Sequence, residues 1–104
     1  MKKLILIFIS IIFISCNKEP IYPKRTVIYS CSGGSGNYTM TYSSGNTVQQ
    51  GNYSSVTYHM NYGEYSYVNA MDNNGNTFTL TETVDGVVYA SYTGTILEAS
   101  YDYK

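Results

Sequence analysis

Between Thr26 and Tyr103 the chain repeats one pattern: a large apolar or aromatic residue, then a threonine, serine or asparagine, then another large one. Tyr38-Thr39-Met40-Thr41-Tyr42 and Val56-Thr57-Tyr58-His59-Met60-Asn61-Tyr62 show it most plainly. Period two places alternate side chains on opposite faces of an extended strand, and no window repeats at the spacing of an amphipathic helix. Each run therefore has one face to bury and one to wet. Thr26–Cys31, Tyr38–Tyr42, Val56–Tyr62, Tyr65–Met71, Phe78–Val84, Val87–Tyr92 and Ile96–Tyr103 read as about seven strands, with a further short one at Thr47–Gln50.

Ser44-Gly45-Asn46, Asn73-Asn74-Gly75-Asn76 and Asp85-Gly86 lie between these runs and supply residues that accept a positive φ. Each predicts a hairpin, Asp85-Gly86 most clearly. Short strands joined in this way predict an all-β antiparallel sandwich. The folding part, residues 24–104, is near the size that buries only ~60% of its unfolded surface, so large side chains must supply the driving force. Thirteen tyrosines do so, each offering a wide ring for burial and a hydroxyl that tolerates a wet edge.

The N-terminus follows a different logic. Met1-Lys2-Lys3 is positively charged, Leu4 to Ile14 is apolar apart from Ser10, and Ser15-Cys16 follows directly. The apolar run is shorter than the ~20 residues that span a bilayer and fits a secretory signal peptide, residues 1–15. Phe13-Ile14-Ser15-Cys16 resembles a bacterial lipobox, which makes Cys16 the lipidated residue. Two or three acyl chains hold a protein durably on a membrane, where one gives only marginal binding. Residues 16–23, with Pro20 and Pro23, then read as a tether. The expected location is a lipid-anchored place in the cell envelope, on the outer membrane, and periplasmic and surface-facing placements both fit.

After Cys16 the chain carries Glu19, Glu64, Asp72, Glu82, Asp85, Glu98 and Asp102 against Lys18, Lys24, Arg25 and Lys104, seven minus four, a net charge of −3. Without a Lys/Arg stripe, nucleic acid is excluded as a partner. Candidate chemistry is sparse. His59 is the only histidine and falls on the polar side of its strand, with no neighbouring Cys, His or carboxylate pair to make a metal site. Asp72, Asn74 and Asn76 alternate as in a calcium loop, but Gly75 falls at the fourth position and Thr83 at the twelfth, so a hairpin is the better reading. The glycine-rich Cys31–Asn37 stretch precedes a strand and no helix, which makes it a connection and no phosphate cradle. Glu82 and Glu98 read as scattered, solvated acids, and Cys31 as a buried thiol. No catalytic residues, metal ligands or cofactors are expected, and no enzyme. Tyr53, Tyr62, Tyr65 and Tyr67 lie close in sequence around one turn and form a candidate binding patch for a glycan or a protein.

Four segments, "VIYSCSGGSG", "YTMTYSSGNT", "YSYVNAMDNNGNTFTLTETVDGVVYASYTG" and "ILEASYDY", taken in order, resemble the soluble domain of the mycobacterial membrane protein small (MmpS) family and its lipoprotein relatives. Ala70, the turn at 73–76, Val84-Asp85-Gly86-Val87-Val88 and Gly94 carry the resemblance. It implies an immunoglobulin-like β-sandwich outside the cytoplasmic membrane, and a partner among resistance-nodulation-division transporters. The functional expectation is a lipid-anchored accessory or interaction module. The alternative is a surface binding or adhesion module that uses exposed tyrosines.

Overall fold

The computed structural model describes residues 22–44 and 46–104; the expected signal peptide and the expected lipidation site Cys16 lie outside them. The described residues form eight strands: β1 (Arg25–Gly33), β2 (Tyr38–Ser44), β3 (Thr47–Gly51), β4 (Ser55–Met60), β5 (Tyr65–Asp72), β6 (Phe78–Val84), β7 (Val87–Gly94) and β8 (Ile96–Asp102). All pairings are antiparallel, and they build two four-stranded sheets, ordered β4-β1-β6-β7 and β3-β2-β5-β8. The protein is therefore an all-β sandwich, as the alternation requires. The short segment near Thr47 is a full strand, which raises the count from about seven to eight.

Parity decides what is buried. Along β6, Phe78, Leu80, Glu82 and Val84 face inward while Thr79, Thr81 and Thr83 face out. Val27 and Tyr29 of β1, Met40 of β2, Val68 and Ala70 of β5, and Leu80 of β6 meet between the sheets. Tyrosines fill the remaining thickness: Tyr38 packs on Phe78 with ring centroids 5.2 Å apart, and Tyr29 meets Tyr58 edge to face at 5.8 Å. The buried Tyr29 hydroxyl shares a 2.6 Å hydrogen bond with Ser66 Oγ, which satisfies the one polar atom this large ring brings inside.

Two expectations are corrected here. Asn73-Asn74-Gly75-Asn76 is no hairpin: β5 and β6 belong to different sheets, so this turn carries the chain across the sandwich. Glu82 is not solvated either. Its side chain is fully buried and neither carboxylate oxygen has a hydrogen-bond partner. Burial holds its pKa above the ordinary carboxylate value, with the nearby Tyr29 hydroxyl offsetting part of the effect. Glu98 is exposed on the outer face of the other sheet, opposite Asn69, so the two acids do not approach one another. The Asp85-Gly86 hairpin forms as expected, with φ of 51° and 81°. Asp85 Oδ1 also accepts a hydrogen bond from the Thr26 amide at 2.9 Å, which ties the turn to β1.

The registers define two ends. One gathers Tyr22 to Arg25, the β4–β5 loop, the Asp85-Gly86 turn and the end of β8, joined by Gly63 N–H to Tyr103 O (2.6 Å) and by the Tyr103 hydroxyl to Pro23 O (2.7 Å). The described chain begins here, at Tyr22, and since the expected tether precedes it this is called the tether end. The opposite end, the apex, gathers the β1–β2, β3–β4 and β5–β6 connections.

Candidate functional site

The apex is organised around Asp72, the last residue of β5. Its inward parity brings the carboxylate beneath the loops, where it is almost fully buried. Oδ2 accepts from the Ser35 amide at 2.8 Å. Oδ1 accepts from the Ser35 hydroxyl at 2.9 Å and from the Asn74 and Asn76 amides at 2.8 and 3.3 Å. Burial alone pushes this carboxyl upward in pKa, but the hydrogen bonds from Ser35, Asn74 and Asn76 outweigh it and hold the group below its ordinary value. The residues that suggested a calcium loop thus spend their carboxylate on backbone amides. A Cβ on Gly34 would collide with the Asp72 carboxylate, so the close approach of these loops requires glycine there.

Above this anchor lies a cluster of amides. The Asn73 N–H donates to Asn37 O at 2.9 Å, and the Asn73 side-chain amide donates to Asn37 Oδ1 at 2.9 Å and Asn52 Oδ1 at 3.4 Å. Thr39 Oγ1 completes the set by donating to Asn73 Oδ1 at 2.6 Å. These bonds use the side-chain oxygens of Asn37 and Asn52, whose NH₂ groups have no hydrogen-bond partner among the described residues. Beside them Tyr53, 39% exposed, lies across Gly51, where a Cβ would come within 2.8 Å of its ring. Tyr53 also meets Tyr42 edge to face at 5.6 Å. Gly36, Asn37, Tyr38, Asn52, Tyr53 and Ser54 line an open hollow of about 230 Å³. Every side chain on that rim is neutral. Fixed amide donors next to an aromatic ring suit a ligand with many hydroxyls and an apolar ring face, and supply no acid–base pair.

The tyrosines singled out by their spacing do not form one patch. Tyr53 sits at the apex, while Tyr62 and Tyr65 occupy the tether end and Tyr67 lies half-buried on the outer face of its sheet. Tyr62 stacks on Tyr22, with ring centroids 3.9 Å apart and planes 11° from parallel. A larger hollow of about 490 Å³ also lies at the tether end, lined by Ser43, Asn46, Thr57, Tyr58, His59, Met60, Glu64 and Tyr65. It brings together His59 and Glu64, which spacing alone had not linked. Glu64 Oε1 is engaged by the Asn61 amide and His59 Nδ1 lies 3.4 Å from Thr26 Oγ1, so each already serves the loop or strand that carries it. Among the described residues no three of His, Cys, Asp and Glu converge in a way that would hold a metal ion.

Compared with known proteins, the chain matches no family model, no curated protein and no solved structure.

Proposed function

We propose that this protein is a non-enzymatic interaction module of the bacterial envelope, held on the membrane by acylated Cys16 and binding a neutral, hydroxyl-rich ligand of the glycan class at its apex. The observation that carries this reading is the apex itself: Asn37, Asn52 and Tyr53 stand around one hollow, with the β1–β2 loop that carries Asn37 pinned from below by Asp72 and Asn52 on the β3–β4 loop reached by the Asn73 side chain. Preorganised loops lose little entropy on binding, which favours recognition even by a small surface. The lipobox-like Phe13–Cys16 and the positively charged, apolar leader support the anchor. The apex then lies at the end of the sandwich away from the tether.

The test is a panel of neutral oligosaccharides presented to the full chain, with Asn52→Ala and Tyr53→Ala as variants. The proposal predicts binding that both variants weaken by about tenfold or more. A panel with no binder, or binding that ignores both substitutions, would overturn it. A second reading, an accessory of an envelope transporter, draws on the resemblance to the MmpS family and on the tyrosines exposed near the tether. A crosslinked pull-down of the acylated protein from its own membranes tests that reading: recovery of a polytopic transporter supports it, and recovery of the protein alone counts against it.

A further inference from the structure

We infer that the tether end rests on the headgroup layer of the membrane that carries the anchor, so that the domain is held upright with its apex outward. The inference depends on acylation of Cys16 and adds a second, non-covalent contact to it.

The chain enters the described fold at Tyr22, whose ring stacks on Tyr62. Tyr22 lies six positions after Cys16, and six residue steps span at most ~22 Å when fully extended. A lipidated Cys16 therefore keeps this end of the sandwich close to the bilayer surface. The surface it brings there is rich in exposed tyrosine. Tyr22, Tyr62 and Tyr65 are 49, 47 and 60% exposed, and Val87 and Val88 follow at the neighbouring turn, also exposed. Tyrosine is an interfacial side chain, with a ring that favours the acyl boundary and a hydroxyl that favours headgroups.

Lys24, Arg25 and Lys104, the three Lys/Arg residues among those described, are all at the tether end. Three carboxylates share this end: Glu64 accepts from the Asn61 amide, Asp85 accepts from the Thr26 amide, and Asp102 pairs with Lys104 at 3.2 Å, so three cations and three carboxylates leave it balanced in charge. The Arg25 guanidinium lies 4.7 Å over the Tyr103 ring, next to the Tyr62 stack. The apex has no Lys or Arg among the described residues. A charge-balanced surface of exposed tyrosines with lysine and arginine, at the end where a short lipid tether enters, matches the interfacial zone of a bilayer, which takes tyrosine rings at its acyl boundary and cations at its phosphates.

The sequence contains no tryptophan, so a single introduced indole reports one place only. The experiment places the full acylated chain, as Tyr62→Trp, Tyr65→Trp or Tyr53→Trp, in vesicles of equal parts phosphatidylethanolamine and phosphatidylglycerol carrying brominated acyl chains. The inference predicts that the indoles at positions 62 and 65 emit at shorter wavelength and are quenched by bromine at least roughly twofold more than the indole at 53. Using two tether-end positions keeps the test intact if one substitution unfolds the domain, which circular dichroism reports. Equal, weak quenching at all three positions overturns the inference, as does a blue shift at 62 and 65 without quenching, which would mean that protein covers the patch. Intact mass separates the two levels: an unmodified chain removes the anchor and the docking with it, whereas an acylated chain with unquenched indoles removes the docking alone.

Discussion

The Ser35 amide and hydroxyl both reach the carboxylate of Asp72, at 2.8 and 2.9 Å, across 37 positions of sequence. One short side chain thus pins the β1–β2 loop to the start of the β5–β6 crossing, and the same carboxylate collects the Asn74 and Asn76 amides. Asp72→Ala leaves these donors without an acceptor. The expected result is a Tm lower by roughly 5–10 °C for a domain of this size, together with loss of apex binding, measured by thermal unfolding and by the oligosaccharide panel.

The pH dependence of stability follows from the same carboxylate. The hydrogen bonds hold the Asp72 pKa below its unfolded value, so its contribution is present above the unfolded pKa and is lost as pH falls through the folded one. Urea unfolding between pH 7 and pH 2 should show the wild type losing stability in acid more steeply than Asp72→Asn.

Glu82 works in the opposite direction. Its folded pKa is raised by burial, so the folded state holds the proton more tightly, and stability falls as pH rises from the unfolded value through the folded one. Glu82→Met replaces an orphaned carboxyl with an apolar chain of similar length. Urea unfolding at pH 8 should find this variant more stable by about 1–3 kcal/mol, with the difference shrinking toward pH 4.

Cys31 is buried, and burial pushes its thiol up to about 11. At pH 8 almost none of it is thiolate. A thiol-exchange assay on the folded acylated chain should show Cys31 reacting at least ~100-fold more slowly than in urea.

Gly86 adopts a φ of 81° beside Asp85 at 51° in the β6–β7 hairpin. Gly86→Ala should cost about 1 kcal/mol in urea unfolding, because an alanine pays a steric penalty in that conformation that glycine does not.

Alternation made most of this architecture legible. In β6 it even marks Glu82 as inward, since position 82 shares parity with Phe78, Leu80 and Val84; composition alone, treating an acid as solvated, pointed the other way. Strand β3 was faint because Thr47 to Gln50 are all exposed and leave no buried face to detect. The turn at 73–76 could not reveal a crossing, because a hairpin and a crossover demand the same positive-φ residue, Gly75 at 73°, and differ only in which strand pairs next. The tyrosine patch dissolved for a geometric reason. Tyr53 and Tyr62 flank the six residues of β4, and an extended strand of that length, ~20 Å, carries its two flanks to opposite ends of a sandwich. The apex amides were hidden likewise: Asn37, Asn52 and Asn73 are distant in sequence and meet only where three connections between sheets converge.

The most direct test of the central claim is amide chemical-shift mapping of the ¹⁵N-labelled full chain in detergent, titrated with neutral oligosaccharides. Apex recognition predicts saturable shifts concentrated at Ser35–Asn37, Asn52–Ser54 and Asn73–Asn76, with the strand interiors quiet. Shifts confined to the hollow around His59, Glu64 and Tyr65, or none with any neutral sugar at millimolar concentration, would contradict it.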